Sequence, residues 1–179
     1  MEPMELDITI FRVINSLAGQ SGFWDGFWIF ATDYLPYLMI VAAFVILIIW
    51  RGDIKEKIKT TALFAAGSTF SYLLAIAFFN NIWHRLRPFE ALQGVTQLVV
   101  ESGFSFPSKH AMLVFLLSTY VYRFNKRLGV VFYILSSLVA VSRVVTGVHY
   151  PSDVLAGIVI GIIIGKVIAS RYHKTSTTA

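Results

Sequence analysis

The chain has 179 residues and no cysteine, which excludes disulfide frameworks, thiolate metal sites and cysteine nucleophiles and leaves the redox state of its compartment open. Charge is scarce too. Asp, Glu, Lys and Arg make up 14% of the residues, and the only four histidines are His84, His110, His149 and His173. No cluster of carboxylates is present to hold Mg²⁺, nor a His-x3-His pair for Zn²⁺, so the chemistry is expected to run without a metal or other cofactor. The N-terminus, Met-Glu-Pro-Met-Glu-Leu-Asp, lacks the basic start and the small-residue cleavage site of a signal peptide, and its first residues are expected in the mature protein.

What is present is apolar. Apolar residues make up 56% of the chain and the mean hydropathy is +0.70, well outside the soluble average, so the sequence reads as a membrane protein. Its length suits a single domain over 1–179. A formal charge of +5 would admit a nucleic-acid partner, but Lys and Arg fall in short clusters between apolar runs rather than on one basic face. That distribution belongs to membrane topology and predicts no nucleic-acid partner.

A membrane-spanning helix needs roughly 20 predominantly apolar residues. Five segments come close: about 35–50, 60–83, 106–123, 128–146 and 151–171. Their short connections predict an all-α, polytopic bundle. Before them, Leu6, Ile8, Ile10, Phe11, Val13, Ile14 and Leu17 crowd one side of a helix whose other side carries Asp7, Arg12 and Asn15, the pattern of an interfacial amphipathic helix. Residues 22–31, Gly-Phe-Trp-Asp-Gly-Phe-Trp-Ile-Phe-Ala, are too short to cross alone. Their aromatics suit the headgroup level; the alternative is an extension of the first span, interrupted near Pro36.

Basic residues orient the bundle. Arg51, Lys55, Lys57 and Lys59 follow the first span, Arg123, Lys126 and Arg127 the third, and Lys166, Arg171 and Lys174 the fifth; these belong on the cytoplasmic side. The 84–105 connection and the 146–150 turn then face the extracytoplasmic side. Arg85, Arg87, Lys109 and Arg143 run against this rule, so something other than topology placed them there.

Those bases belong to three charged clusters: Arg87-Pro88, Pro107-Ser108-Lys109-His110, and Ser142-Arg143 with His149 and Asp153. Ionisable groups at or near membrane depth are costly and point to function. Pro151 suits a first helical position, and a helix starting near Tyr150 brings the Asp153 carboxylate close under the His149 imidazole. An acid that takes the proton of one ring nitrogen leaves the other as a free lone pair, the arrangement of a nucleophilic histidine; the alternative is a helix-capping His beside a solvated Asp. Arg143 and Arg87 offer planar forks for phosphoryl oxygens, although Arg143 has snorkelling as its plainer explanation. Pro88 holds Arg87 extended. Ser108 and His110 fall in the first turn of the third span, whose free N–H groups attract anions. There His110 suits a general acid, while Ser108 also suits an ordinary N-cap. Together these groups supply the roles that phosphoryl transfer requires.

Arg87-Pro88, Pro107-Ser108-x-His110 and Ser142-Arg143-x5-His149-x3-Asp153 resemble, in order and spacing, the three signatures of the type 2 phosphatidic acid phosphatase (PAP2) superfamily, membrane lipid phosphatases related to vanadium haloperoxidases. The resemblance covers residues 80–153. It implies a six-helix core with the site at the outer membrane surface, and a covalent phosphohistidine on His149. It also implies Asp153 as the orienting acid, His110 as the leaving-group acid, and Arg87, Ser108 and Arg143 on the phosphate. Two positions depart from the family pattern. Asn80 stands where the first signature opens with Lys, and Lys109 stands where the second has Gly. Lys109, or Arg85 from the loop, is the candidate to restore the missing charge near Asn80, toward a second phosphate; the alternative leaves Lys109 in solvent. The short chain, the missing Lys and the Arg-Pro-Phe run at 87–89 are similar to the bacterial BcrC-type undecaprenyl-diphosphate phosphatases. That resemblance implies hydrolysis of a C55 diphosphate to the monophosphate in the bacterial cytoplasmic membrane. Relatives acting on phosphatidylglycerophosphate, phosphatidate or lipid A phosphate share the same residues.

A membrane protein that binds lipid phosphate without cleaving it is the competing class; it has no need of a His-Asp pair and a second His. Gly157, Gly161 and Gly165 form a small-residue ridge that serves either packing within the bundle or a homodimer interface.

Overall fold

The computed structural model describes residues 3–49, 53–74 and 84–170, and all regular structure among them is helical. Helix α1 (Pro3–Asn15) leads by a short turn into α2 (Gly22–Ile29), a π-helical turn (Phe30–Tyr34) and α3 (Leu35–Ile49). Then come α4 (Ile54–Leu74), a single turn α5 (Pro88–Ala91), α6 (Lys109–Phe124), α7 (Lys126–Val145) and α8 (Pro151–Ser170).

The aromatic 22–31 stretch is not a separate headgroup segment. It runs on through the π turn to form, over Gly22–Ile46, one of three described stretches long and apolar enough to cross a membrane; Lys126–Val145 and Pro151–Ser170 are the others. The alternative expectation, an extended first span interrupted near Pro36, describes the chain. Pro36 brings no N–H to the carbonyl of Thr32, and the helix widens just before it, with Leu35 N–H reaching back to Phe30 O. Part of the expected 60–83 span lies outside the described residues. The expected 106–123 span begins as a helix only at Lys109.

Helix α6 is the centre of the bundle. Nearly all of its side chains from Ala111 to Val121 are buried, against α8, α7, α4 and α3. Without a hydrophobic drive between helices in lipid, close packing and polar contacts hold them together. The Gly157, Gly161 and Gly165 ridge of α8 is used here, inside the chain: a Cβ at Gly157 would lie 2.5 Å from Ser108 O, and one at Gly165 would lie 2.7 Å from Thr119 Cβ. Between α6 and α7, Ser118 Oγ and Ser136 Oγ are 2.7 Å apart, and Thr119 Oγ1 lies 2.7 Å from the Tyr133 hydroxyl.

Helix α1 turns Asp7 and Asn15 inward and leaves Arg12 exposed. Asp7 and Asn15 are buried with Phe11, while Leu6, Ile10, Val13 and Leu17 are exposed. Asn15 Nδ2 donates to Thr96 O at 2.8 Å and to Val145 O at 2.8 Å, which ties α1 to the long 92–108 connection and to the end of α7.

The starts of α6 and α8, the end of α7 and the 84–108 segment thus meet at one end of the bundle. The turn from α7 to α8 depends on Gly147, which has φ +81° and where a Cβ would lie 2.6 Å from Thr96 O. Only glycine takes that conformation and that approach without strain.

Candidate active site

Pro88 sets the backbone of Arg87 to φ −72° and ψ 157°, as expected of a residue before proline. Glu90 Oε2 accepts from the Arg87 N–H at 2.9 Å and fixes the start of α5. The guanidinium is fully buried. Backbone carbonyls compensate it: Nε donates to Gly103 O at 2.8 Å, Nη1 to Val148 O at 2.8 Å and Nη2 to Ser102 O at 3.0 Å. Burial lowers its pKa.

Arg143, in the last turn of α7, is also buried rather than snorkelling. Its Nη1 donates to Thr32 Oγ1 in the π turn at 2.9 Å, and its Nη2 makes a short ion pair with Glu101. Glu101 in turn approaches Arg87 Nη2 at 3.9 Å. Burial opposes the Glu101 charge, but Arg143 and then Arg87 outweigh it and hold its pKa below the ordinary value. One carboxylate therefore bridges the two guanidiniums, marking where an anion is held. Beside it, Arg143 Nε and Ser108 Oγ are buried with no hydrogen-bond partner among the described residues. A buried unsatisfied polar atom costs about 1–3 kcal/mol, so a pair of them at one site calls for an explanation. Ser108 occupies the N-cap position of α6, but its side chain makes no capping bond.

The His149 ring is 1% exposed. Its Nε2 lies 3.4 Å from Arg87 Nη1; a guanidinium only donates, so Nε2 must present its lone pair and the proton is assigned to Nδ1. Nδ1 is 3.8 Å from Asp153 Oδ2, too long for a direct hydrogen bond. Ser105 fills the gap: its Oγ lies 3.4 Å from His149 Nδ1 and donates to Asp153 Oδ2 at 2.5 Å. The expected direct His149–Asp153 contact is thus relayed by a hydroxyl. Burial, offset in part by Asp153, lowers the His149 pKa to about 4.

Asp153 lies in the first turn of α8 and is fully buried. Besides Ser105, its Oδ2 accepts from Tyr150 N–H at 2.9 Å, and its Oδ1 accepts from Arg85 Nη1 at 2.6 Å. Arg85 is therefore engaged behind the carboxylate rather than toward a second phosphate. Burial disfavours its charge, but Asp153 and Asp7 outweigh that and raise its pKa.

Lys109 and His110 line a cleft of about 530 Å³ together with Glu101, Met112 and Leu113, opposite Tyr37 of α3 and Ser68 and Thr69 of α4. Lys109 stands in the wall of this cleft. Asn80 lies outside the described residues. The structure thus gathers Arg87, Ser108, Lys109, His110, Arg143, His149 and Asp153 at one end of the bundle, and adds Thr32, Glu101 and Ser105, which no motif had marked.

The PAP2 superfamily profile matches residues 61–176. The chain belongs to the PAP2 superfamily. Among similar proteins, BcrC of Bacillus subtilis, an undecaprenyl-diphosphatase, is 30% identical over 89% of this chain and 81% of its own length. The bacitracin transport permease protein BcrC of Bacillus licheniformis is 28% identical over 89% of this chain and 77% of its own. A lipid A 4'-phosphatase of Bacteroides thetaiotaomicron is 27% identical over 88% and 72%. The solved structure of Aquifex aeolicus LpxE superimposes with a TM-score of 0.74 at 27% identity, covering 93% of this chain and 96% of that one. This PAP2 protein is accordingly a multi-pass membrane lipid phosphatase.

Proposed function

We propose that this PAP2 phosphatase hydrolyses undecaprenyl diphosphate to undecaprenyl phosphate through a phosphohistidine on His149, without a metal, at the extracytoplasmic face of the bacterial cytoplasmic membrane. The observation that carries the reading is the His149 ring, neutral and oriented, with its Nε2 lone pair beside two buried guanidiniums and two unsatisfied donors. Likeness to the two BcrC proteins favours the diphosphate substrate.

The terminal phosphate competes with Glu101 for Arg143 and Arg87, and takes hydrogen bonds from Arg143 Nε and Ser108 Oγ. Such preorganised donors act where charge develops in the transition state. His149 Nε2 attacks phosphorus, the bond to the bridging oxygen breaks, and His110, protonated as the anionic substrate binds, gives its proton to that oxygen as the monophosphate leaves. The imidazolium character of the attacked ring is balanced by Asp153 through Ser105. Water then attacks the phosphohistidine, giving its proton to His110 and releasing orthophosphate with His149 regenerated. Lys109, in the cleft wall, suits the second phosphate of a diphosphate. The whole chain acts as one domain, with five to six spans. The basic clusters at Lys55, Lys59, Arg123, Lys126 and Arg127 lie at the end of the bundle opposite the site, which supports the outward orientation.

A second substrate is favoured by a specific observation, the likeness to lipid A 4'-phosphatases. The test is a panel of undecaprenyl diphosphate, lipid A phosphate, phosphatidylglycerophosphate and phosphatidate, presented to the purified protein in chelator under one detergent condition. The reading predicts the highest kcat/KM for undecaprenyl diphosphate. A higher value for another member reassigns the substrate, binding without phosphate release returns the chain to the binding class, and loss of activity in chelator refutes the metal-free mechanism.

A further inference from the structure

Asp7 is buried on α1, 145 residues from the segment it touches. Its Oδ1 accepts from Ser152 N–H at 3.0 Å, and its Oδ2 accepts from Ser152 Oγ at 2.6 Å. Asp7 therefore serves the start of α8 as a cap delivered from elsewhere in the chain, next to Asp153. Asp7 Oδ2 also accepts from Arg85 Nη2 at 2.6 Å. The other end of that guanidinium fork holds Asp153 Oδ1 at 2.6 Å and Ser152 Oγ at 2.7 Å. Its plane sits 3.9 Å from the centre of the Tyr150 ring, and that ring packs on Phe11 of α1 at 5.6 Å.

Two carboxylates thus share one guanidinium. Drawn toward Asp7 on one side, Arg85 takes only Oδ1 of Asp153, leaving Oδ2 to Ser105 and the Tyr150 N–H. Without the Asp7 charge, Arg85 has Asp153 as its sole acidic partner among the described residues, and Ser152 N–H keeps only a neutral acceptor. The carboxylate is then free to turn, and the hydroxyl that joins it to His149 turns with it.

We propose that Asp7 is a positioning residue for the His149–Asp153 pair, acting through Arg85 and the first turn of α8. The proposal rests on the phosphatase reading above. Asp7 makes no hydrogen bond to a cleft-lining residue among the described residues, so it is expected to affect turnover and not substrate binding. A merely structural anchor for α1 would instead show itself in stability, without a selective change in kcat.

The experiment compares the full-length purified chain with Asp7→Asn and Asp7→Glu, using the best substrate of the panel and measuring kcat, KM and thermal unfolding. Asp7→Asn is expected to lower kcat about 10- to 100-fold, the scale of a small misplacement of reacting groups, with KM unchanged to within about twofold, and Asp7→Glu to recover most of the loss. A kcat for Asp7→Asn within about twofold of the unsubstituted chain overturns the proposal, as does a loss that Asp7→Glu does not relieve. If Asp7→Asn does not purify as folded protein, Ser152→Ala takes its place, since it removes the hydroxyl that joins Asp7 to Arg85 and changes no charge. The same kcat loss at constant KM is expected there, and an unchanged kcat overturns the proposal. An inactive unsubstituted chain overturns the phosphatase reading itself, whereas an active one with an unaffected Asp7→Asn overturns this inference alone.

Discussion

His149 is held neutral by its surroundings, and that fixes its pH behaviour. A free imidazole titrates near ~6.5; burial first, then Arg143 and Arg87 against the opposing Asp153, brings this one to about 4. A nucleophile must be unprotonated, so the acid limb of kcat/KM, corrected for the substrate's own titration, is expected near pH 4. A limb near ~6.5, the ordinary imidazole value, would contradict this. The same depression acts on stability. Between about 4 and ~6.5 the unfolded chain binds the proton and the folded one does not, so stability falls as pH drops through that window. Arg87, Ser108, Lys109, His110, Arg143, His149 and Asp153 were legible in the sequence because charge within apolar runs stands out and their spacings are local. Ser105, Glu101 and Thr32 were not. Ser105 meets Asp153 from 48 residues away, Glu101 meets Arg143 from 42, and Thr32 meets Arg143 from 111. Contacts between distant segments leave no spacing in the sequence. Glu101 shares the 84–105 connection with a second acid, Glu90, so charge alone did not single it out.

At the scale of elements, hydropathy located α7 and α8 closely, because each is apolar along a full span and bounded by polar or turn residues. It left the 22–31 stretch open between a headgroup segment and an extension of the first span, because a window stopping at Ala31 does not show that a π turn lets the helix continue into Pro36. In α1 the amphipathic pattern was legible but not its destination. Asp7 and Asn15 read as an ordinary polar side, yet they turn inward to partners on α8 and the 92–108 connection. The glycine ridge of α8 was open between two uses, and only the approach of α6 shows it consumed within the bundle. The proposed orientation is tested at the ends of these helices. Because the chain has no cysteine, a single Val100→Cys, at a residue 98% exposed in the 92–108 connection, reports which side it faces. A membrane-impermeant maleimide is expected to label it in intact cells and to leave Asn125→Cys, between α6 and α7, unlabelled until the membrane is opened. The reverse pattern would invert the orientation.

At the scale of the molecule, the bundle buries a cluster of charges that lipid alone would not tolerate. Two buried guanidiniums, a bridging carboxylate and a neutral histidine are held where four parts of the chain converge, and membership of the PAP2 superfamily gives that convergence its chemistry. The central claim is that His149 becomes covalently phosphorylated. Its most direct measurement uses undecaprenyl diphosphate labelled in the terminal phosphate, mixed with purified protein and quenched in alkali, where a phosphohistidine survives, followed by mapping of the label. Labelled His149 is predicted in the unsubstituted protein, with label absent and turnover reduced at least about 10³-fold in His149→Ala, the scale of losing a nucleophile. Label on another residue, or turnover persisting in His149→Ala, would contradict it.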